Sequence, residues 1–505
     1  MKIAGLDIGT TGCKCTIFDE NGCEINKAYR DYPVKRRVGC HEIDVNSIMD
    51  GVYAVISEVA AKHPDIAGIG VTSFGETFVC VDENGAPLAP AMLYTDPRGN
   101  EECKWLVDKL GAEHIAEITG VTPHEMYVLP KILWIKKNKP EIYSKTKHIL
   151  QMVDYVVFSL TENAVIDYSL ATRTMAFDIH KLDWSDDILT VAGIDKSLFS
   201  KPVPTGTDAG EITEAIAKRL GLPKSTRIVA VSQDQVAAAV GAGAFDGDIG
   251  VDGAGTVQCL TPIFDTMPDI RKMMPGKYVV VPYVVPGKYV TYAFSYTGGA
   301  LIKWCTDSVA KKEKELAEVE GISVNTFLER QYEQGREAEG LDINGPSGML
   351  VLPHFAGAAT PYMDTGSKGV IVGMTTATTP ADIYRACMEG VCYEMYLNYC
   401  NVIDGGARPK KLHATGGGAR SSTWMQMKAD VLGIPIVALN TVDAGTVGSA
   451  MLTGMALGIF KDLEDAANHM IKLTQTYEPR DEYHVKYMEV YDKFVKLYDA
   501  VRNLV

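Results

Sequence analysis

A short stretch near the N-terminus constrains the fold more than any other part of the sequence. Residues 3–8 form an apolar run with a single acidic residue, Asp7, and a turn of glycines and threonines follows at residues 9–12. Apolar and polar side chains then alternate over residues 13–18, and Asn21-Gly22 closes the segment. A period of two predicts a strand, and Asn-Gly is a preferred pair in tight hairpin turns. We therefore expect the chain to begin with a β-hairpin.

The turn of this hairpin has the chemistry of a phosphate site. Glycines let the backbone approach a ligand closely, and successive amides in a turn form a concave surface that binds anions. Thr10, Thr11 and Lys14 add hydroxyl donors and a positive charge. Asp7, at the end of the first strand, offers a carboxylate of the kind that Mg²⁺ accepts together with phosphates and water. The alternative for Asp7 is a capping role in an ordinary turn, because glycine turns are common.

Composition excludes several classes of function. The chain has 505 residues, 46% hydrophobic and 22% charged, which is typical of a globular protein with two large or about three domains. Its net charge of −15 argues against a nucleic-acid partner, because phosphate backbones need a basic surface. The 11 cysteines form no C-x-x-C pair, so reduced thiols are expected. We expect neither a signal peptide nor a membrane span, and predict a cytoplasmic location.

The opening pattern recurs near the middle of the chain. Residues 249–260 again consist of a strand, a glycine-threonine turn at Gly255-Thr256, and a second strand. This repetition predicts two similar domains that face each other. The repeated stretch is short, and the alternative is that a glycine turn recurs by chance.

Asp234 is the second acidic residue of interest. It lies where the predicted strand at residues 227–231 gives way to a helix of small residues at 236–243. An acid at such a point is well placed to take a proton from a substrate hydroxyl. The alternative is a helix N-cap, a position that aspartate favours for backbone reasons.

Other candidate ligand residues also follow predicted strands. Glu76, Asp96 and Arg98 lie in loops after strands, where binding residues rest on a rigid base, although each taken alone could be ordinary surface charge. The glycine run at residues 416–418 connects a strand to a helix and would let a phosphate or a flat ligand lie against backbone. The small residues of 443–456 predict a closely packed helix.

These motifs, taken in order, resemble the FGGY family of carbohydrate kinases over essentially the whole chain. Residues 6–11 resemble the first phosphate motif of the family, and Gly255-Thr256 the second. Residues 233–243 are similar to the segment with the catalytic aspartate. Residues 369–390 nearly match a family signature, and residues 414–419 resemble the adenosine motif. Each match is weak alone, and the order of the five makes them specific.

The resemblance implies an α/β fold with two actin-like ATPase (ribonuclease H-like) domains around a central cleft. The expected domains are residues 1–246, with the sugar site and the first phosphate motif, and residues 247–505, with the ATP site and the adenosine motif. The implied activity is phosphoryl transfer from ATP·Mg²⁺ to a small sugar or polyol. The expected partners are those small molecules, with no nucleic acid and no membrane, and a second copy of the chain is a candidate partner in a homodimer.

The resemblance also implies roles for individual residues. Asp234 would be the catalytic base, and Asp7 and Asp234 would hold the metal. The acceptor would contact Glu76, Thr77, Asp96, Arg98 and Gln235. The nucleotide and its phosphates would contact Thr10, Thr11, Lys14, Gly255, Thr256, Gly299, Gly416, Gly417, Gly418 and Arg420.

Departures from the family pattern leave several acceptors open. This chain has Phe-Gly-Glu-Thr at residues 74–77, where xylulokinases usually have Gln-Met-His-Gly. Glycerol kinases have Arg-Glu-Thr at this point, so Glu76-Thr77 fits their pattern but Gly75 replaces the arginine. Tyr94 replaces the usual tryptophan, and Ala358-Ala359 replaces a Glu-Arg pair. General similarity favours a ketopentose such as xylulose, followed by glycerol or another polyol.

Three other readings compete with the sugar kinase. An actin-like ATPase without a sugar acceptor would usually add a peptide-binding domain, for which we expect no room in 505 residues. A catalytically silent sugar-binding member is disfavoured by the presence of Asp7 and Asp234. A kinase of the repressor-related class is disfavoured because the sequence has no zinc-type cysteine cluster.

Overall fold

The predicted N-terminal hairpin is present in the structure, a computed structural model that describes residues 1–441 and 443–504. The strands of the first half are β1 (Lys2–Ile8), β2 (Gly12–Phe18), β3 (Glu24–Asp31), β4 (Val34–Arg37), β5 (Cys40–Ile43), β6 (Ile66–Ser73), β7 (Phe78–Val81), β8 (Ala91–Met92), β9 (His148–Gln151), β10 (Val165–Asp167), β11 (Phe177–Asp178), β12 (Asp183–Trp184), β13 (Lys201–Val203), β14 (Thr207–Glu211) and β15 (Arg227–Gln233). Its helices are α1 (Val45–Lys62), α2 (Asn100–Leu110), α3 (Ala112–Thr119), α4 (Val128–Asn138), α5 (Pro140–Tyr143), α6 (Met152–Thr161), α7 (Tyr168–Thr172), α8 (Asp186–Ala192), α9 (Glu214–Leu220) and α10 (Asp234–Gly241), with a 3₁₀ turn at Lys196–Leu198.

The first sheet has the strand order β14-β15-β6-β1-β2-β3. β1 pairs antiparallel with β2 and parallel with β6, and β6 is parallel to β15. In this register Ile8 lies opposite Ser73, and Ser73 lies opposite Gln233. The loops that follow these three strands therefore begin at one edge of the sheet, which is where open α/β sheets bind their ligands.

The second half contains the remaining elements. Its strands are β16 (Ile249–Ala254), β17 (Gln258–Thr261), β18 (Ile263–Phe264), β19 (Val281–Pro282), β20 (Tyr289–Val290), β21 (Ala293–Ser295), β22 (Leu350–Leu352), β23 (Val370–Val372), β24 (Lys411–Thr415), β25 (Ile436–Leu439) and β26 (Leu473–Tyr477). Its helices are α11 (Ile270–Met273), α12 (Gly299–Trp304), α13 (Lys311–Glu320), α14 (Val324–Ala338), α15 (Pro380–Asp404), α16 (Ser422–Leu432), α17 (Ala444–Ala456), α18 (Leu463–Met470), α19 (Asp481–Phe494) and α20 (Leu497–Val501), with 3₁₀ turns at Met274–Gly276 and Gly417–Arg420 and a π-helical turn at Cys305–Val309.

The second sheet repeats the topology of the first. Its order is β21-β17-β16-β24-β25-β26, with β16 antiparallel to β17 and parallel to β24, and β24 parallel to β25. Each sheet thus has an antiparallel hairpin, two further parallel strands and an antiparallel edge strand, β14 in the first and β26 in the second. The echo of the opening pattern at residues 249–260 therefore reflects a repeated fold, and the predicted two-domain actin-like architecture is confirmed.

Two hydrophobic cores underlie the two sheets, and parts of the second half join the first core. Val279 and Tyr292 are buried among the residues of the first core, as is the apolar side of α17. The packing of α17 is close: a Cβ at Gly448 would lie 1.9 Å from the carbonyl oxygen of Ala237 on α10, and a Cβ at Gly5 of β1 would lie 2.2 Å from that of Thr446. The small residues of α17 thus let it lie against both β1 and α10.

The cysteines of the chain are not paired with one another, and all 11 are free thiols. Within residues 1–441 and 443–504, no helix has the length and apolar character needed to cross a bilayer.

Candidate active site

The turn between β1 and β2 presents Asp7 and Lys14 together. The turn is closed by the amide of Gly9, which donates to the carbonyl oxygen of Gly12 at 2.9 Å. Lys14 Nζ lies 4.0 Å from Asp7 Oδ2 and 2.5 Å from Oδ2 of Asp443, which precedes α17. Burial raises the pKa of Asp7 to about 6 against the opposing charge of Lys14, and Asp443 adds to the rise. This contact joins the ligand-binding edges of the two sheets.

The two threonines of the same turn remain accessible. Thr10 is half-buried and Thr11 is exposed, and the main-chain oxygen of Thr11 accepts from the amide of Tyr32 at 3.1 Å. Both threonines are therefore open to solvent, and their contact with phosphates stays a prediction.

Asp234 lies in the first turn of α10 and does not cap it. The N-cap is Gln233, whose side-chain oxygen accepts from the amide of Gln235 at 2.9 Å, so the capping interpretation of Asp234 is wrong. The Asp234 carboxylate accepts a short hydrogen bond from Gln233 Nε2. Burial raises the pKa of Asp234 to about 7, the charge of Asp7 adds to the rise, and Arg173 opposes it. A carboxyl with such a pKa can exchange a proton near neutral pH.

Glu76 follows β6 and has an unusual backbone conformation. Its φ of 61° lies in the left-handed region, which residues other than glycine adopt uncommonly. The amide of Glu76 donates to Gln151 Oε1 at 3.2 Å, and Gln151 Nε2 donates to the carbonyl oxygen of Leu170 at 2.6 Å. The Glu76 carboxylate forms an ion pair with Arg173, and both side chains are buried. Its neighbour Thr77 is fully buried.

Asp96 and Arg98 form a second ion pair, largely satisfied within the protein. The Asp96 carboxylate accepts from the amide of His41 at 2.7 Å and from the Arg98 guanidinium at 2.8 and 2.7 Å. Arg98 also donates to Glu42 at 2.7 Å and lies over the ring of Trp134. Burial would raise the pKa of Asp96, but these hydrogen bonds outweigh it and hold the pKa below its ordinary value. The pair fixes the loop at residues 93–98, and its contact with the acceptor stays a prediction.

The second glycine-threonine turn rests on the start of α12. The amide of Gly299 donates to the carbonyl oxygen of Gly255 at 2.9 Å, and the amide of Ala300 donates to that of Thr256 at 3.0 Å. A Cβ at Gly299 would lie 2.8 Å from the carbonyl oxygen of Gly255. This close approach explains why glycine stands at residue 299.

The glycine run at residues 416–418 lies beside that turn. Gly253 of β16 is opposite Thr415 of β24 in a parallel pair, so both turns begin at the same edge of the second sheet. Gly416 has φ 90°, and a Cβ there would lie 2.6 Å from the carbonyl oxygen of Ala254. Gly417 and Arg420 are exposed. An exposed stretch of backbone therefore adjoins the Gly255-Thr256 turn, and its contact with a nucleotide stays a prediction.

A buried ion pair connects β16, which precedes the Gly255-Thr256 turn, with α16, which follows the glycine run at residues 416–418. Lys428 of α16 donates to Asp252 of β16 at 2.8 and 2.7 Å and to Gln258 of β17 at 2.8 Å. Gln258 donates in turn to Asp252 at 2.5 Å, and both charged side chains are 0% exposed. The side chains of Lys428, Asp252 and Gln258 thus satisfy one another's hydrogen-bonding groups below the Gly255-Thr256 turn.

The structure assembles most of the predicted residues in two groups, whereas Thr77 is fully buried and Asp96 and Arg98 form their own ion pair. The edge of the first sheet carries Asp7, Thr10, Thr11, Lys14, Glu76, Asp234 and Gln235, and the edge of the second carries Gly255, Thr256, Gly299, Gly416, Gly417, Gly418 and Arg420. Two residues were missed. Asp443 lies directly before α17, for which the sequence predicts only close packing. Arg173 lies in segment 167–174, which is rich in hydroxyl side chains, and no local sequence pattern connects it to Glu76.

The residues present fit a magnesium ion shared with phosphates. Within the described residues 1–441 and 443–504, no three histidine, cysteine, aspartate or glutamate side chains are grouped to hold a metal by themselves. Mg²⁺ usually takes one or two carboxylates and fills its remaining positions with water and phosphate oxygens. Asp7 and Asp234 supply that donor set, and the charge of Asp7 raises the pKa of Asp234, a repulsion that a cation would relieve.

Known carbohydrate kinases resemble this chain in sequence and in fold. The chain is 25% identical to the xylulose kinase of Lactococcus lactis subsp. lactis (strain IL1403), with 98% of this chain and 96% of the relative covered. It is 29% identical to the gluconokinase of Bacillus subtilis (strain 168), with 99% and 96% covered. The fold matches the crystal structure of ligand-bound xylulose kinase from Lactobacillus acidophilus with a TM-score of 0.87 at 23% identity, covering 99% of this chain and 98% of that one.

Family models match both halves of the chain. The model of the N-terminal domain of the FGGY family of carbohydrate kinases matches residues 2–241, and that of the C-terminal domain matches residues 267–457. These two ranges contain the first sheet and most of the residues assembled above, whereas β16, β17, β26 and the Gly255-Thr256 turn lie outside them. The protein therefore belongs to the FGGY family of carbohydrate kinases.

Proposed function

We propose that this kinase transfers the γ-phosphate of ATP to a hydroxyl of a ketopentose such as xylulose, with Asp234 as the general base. One observation carries the assignment of the base. Asp234 stands at the start of α10, at the ligand-binding edge of the first sheet, with its pKa raised to about 7 by burial and by Asp7. A base with a pKa near the working pH is the most effective in proton transfer.

In this mechanism the acceptor hydroxyl gives its proton to Asp234 as the oxygen attacks the phosphorus in line with the leaving group. Glu76 and Gln235 border the same edge and orient the acceptor. Phosphoryl transfer depends chiefly on positioning and on neutralisation of charge, and closure of the two domains would exclude water. Gln233 fixes the Asp234 carboxylate through its own amide group.

The nucleotide would lie between the two sheet edges. Thr10, Thr11 and Lys14 would bind phosphates from the first sheet, and Gly255, Thr256 and Gly299 from the second. The run at 416–418, with Arg420, would flank the nucleoside. A Mg²⁺ ion held by Asp7 and Asp234 would neutralise phosphate charge in the transition state.

A second candidate acceptor is glycerol or another polyol. The Glu76-Thr77 pair favours this acceptor, because it fits the glycerol kinase pattern. The guanidinium of Arg173, which pairs with Glu76, also favours it because it can bind a hydroxyl oxygen. A ketopentose and a polyol share hydroxyls on adjacent carbons, so one site can serve either class.

The test is an ADP-release assay with ATP·Mg²⁺ and a panel of ketopentoses, aldoses, glycerol and other polyols. We expect one acceptor class to stimulate ADP release, and we expect Asp234→Ala to reduce the stimulated rate by about 10²- to 10⁴-fold. Asp208→Ala is the matched control, because it also removes an aspartate of the first domain. Asp208 forms an ion pair at 2.6 Å with Arg227, which lies at the end of β15 far from Asp234. ADP release that no acceptor stimulates would contradict the proposal and favour an ATPase. Near-normal turnover of folded Asp234→Ala would remove the residue from the role of base.

A further inference from the structure

Arg173 is a buried cation with donors that the protein leaves unused. It follows α7, is 4% exposed, and contacts Glu76 through Nη2. Within residues 1–441 and 443–504, its Nε and Nη1 have no hydrogen-bond partner. Buried polar groups in native proteins are nearly always hydrogen-bonded, so donors of this kind call for an acceptor atom that the chain does not supply.

The surroundings of Arg173 place these donors in the candidate acceptor site. A Cβ at Gly75 would lie 3.5 Å from Arg173 Cγ and 3.7 Å from its Nε, so Arg173 borders the space where Gly75 has no side chain. The guanidinium carbon lies 5.1 Å from the ring centre of Tyr127 and 5.3 Å from that of Tyr292. The positive charge of Arg173 acts to lower the pKa of Asp234. The two rings hold the guanidinium in place beside the proposed base.

The charges around Arg173 decide which acceptor fits. Glu76 forms an ion pair with Arg173, and the carboxyl of Asp234 lies near both Arg173 and Asp7. A carboxylate bound at the unused donors of Arg173 would lie beside the carboxylate of Glu76 and near that of Asp234, and both would repel it. A hydroxyl pair fits better, because a hydroxyl can donate to Glu76 while an adjacent hydroxyl or carbonyl oxygen accepts from Arg173.

We infer that Arg173 and Glu76 are a specificity pair that binds adjacent oxygens of an uncharged polyol or ketose and rejects sugar acids. The inference rests on the proposed kinase function and narrows its substrate class. It separates this protein from the gluconokinase that it resembles, since gluconate carries a carboxylate at the end of its chain.

The first test compares acceptors with wild-type protein. Xylulose, glycerol and ribitol are compared with D-gluconate for ADP release, and each is also tested without ATP for its effect on the melting temperature. We expect uncharged acceptors to have a kcat/KM at least about 10-fold above that of gluconate, the loss typical of one buried polar mismatch. Gluconate as the equal or better substrate would overturn the inference and leave the kinase function intact. Absence of stimulation by every acceptor would count against the kinase function, and the melting temperatures would still report which class binds.

The second test uses Arg173→Lys, with Arg219→Lys as its control. Arg219 is a surface arginine of the same domain that stacks on Tyr53, so its replacement also keeps the charge and loses the planar group. We expect Arg173→Lys to lower kcat/KM for the acceptor by about 10- to 100-fold, as for loss of a charged hydrogen bond, with KM for ATP within about 2-fold of wild type. An unchanged kcat/KM for the acceptor would overturn the inference.

Glu76→Gln tests the same pair if Arg173→Lys fails to fold. The amide keeps the shape and removes one negative charge, so Arg173 becomes free to receive an anion. We expect the ratio of gluconate to polyol activity to rise by about 10-fold or more. A ratio that does not rise would overturn the role assigned to the pair.

Discussion

Replacing Asp234 by asparagine should stabilise the nucleotide-free protein while it removes activity. The carboxyl is buried beside Asp7, and its pKa is about 7 instead of the ordinary 3.8. That difference is worth about 4 kcal/mol, at about 1.4 kcal/mol for each pKa unit. Part of the side chain is open to the cleft, where water screens the charge, so we expect a gain of about 2 kcal/mol.

The gain should depend on pH in one direction. The native protein binds the Asp234 proton more tightly than the unfolded chain, so ionisation of the carboxyl costs stability as pH rises through the interval between 3.8 and about 7. Asparagine carries no charge and avoids this cost. The variant should therefore gain little near pH 4 and the full amount above pH 7.

Urea denaturation at pH 5 and pH 8 in the presence of EDTA measures the effect. Asp208→Asn is the control, because it removes a half-buried carboxylate that is ion-paired with Arg227 and should give no gain at either pH. A variant less stable than wild type at pH 8, or a difference equal at the two pH values, would refute the reasoning about the buried charge.

Two further outcomes concern the framework of the site. Lys428→Met should lower the free energy of unfolding by about 3–5 kcal/mol, because it leaves Asp252 charged and buried without its partner; urea denaturation measures this, and wild-type stability would contradict it. Gly448→Val should lower the free energy of unfolding by at least about 1–3 kcal/mol, because even a Cβ would lie 1.9 Å from the carbonyl oxygen of Ala237. An unchanged melting temperature would contradict this and show that α10 and α17 can move apart at no cost.

The fold was predictable because the sequence patterns that specify it are local and occur twice. The strand, glycine-threonine turn and second strand occur at residues 2–18 and again at 249–261, and each becomes the centre of a sheet with the same topology. The assignment of the turn residues to phosphates stays a prediction, because successive amides in a glycine turn can bind an anion but glycine turns are also common in ordinary hairpins. The alternatives for Asp234 needed the structure, because only the side chain of Gln233 shows which residue caps α10.

The remaining features depend on contacts between residues far apart in the sequence. Arg173 meets Glu76 across the first domain, and Asp443 of the second half meets Lys14 of the first hairpin. Tyr292 packs into the first core although it follows β16 of the second sheet. No local pattern of hydrophobicity or turn residues encodes such pairs, because they arise only when the two sheets are brought together.

The most direct test of the proposed reaction is ³¹P NMR of wild-type protein with ATP·Mg²⁺ and the acceptor that best stimulates ADP release. The account predicts a phosphomonoester resonance that grows in step with ADP, and its loss in Asp234→Asn. Growth of inorganic phosphate alone would contradict the account, because the γ-phosphate would then have passed to water and not to a carbohydrate hydroxyl.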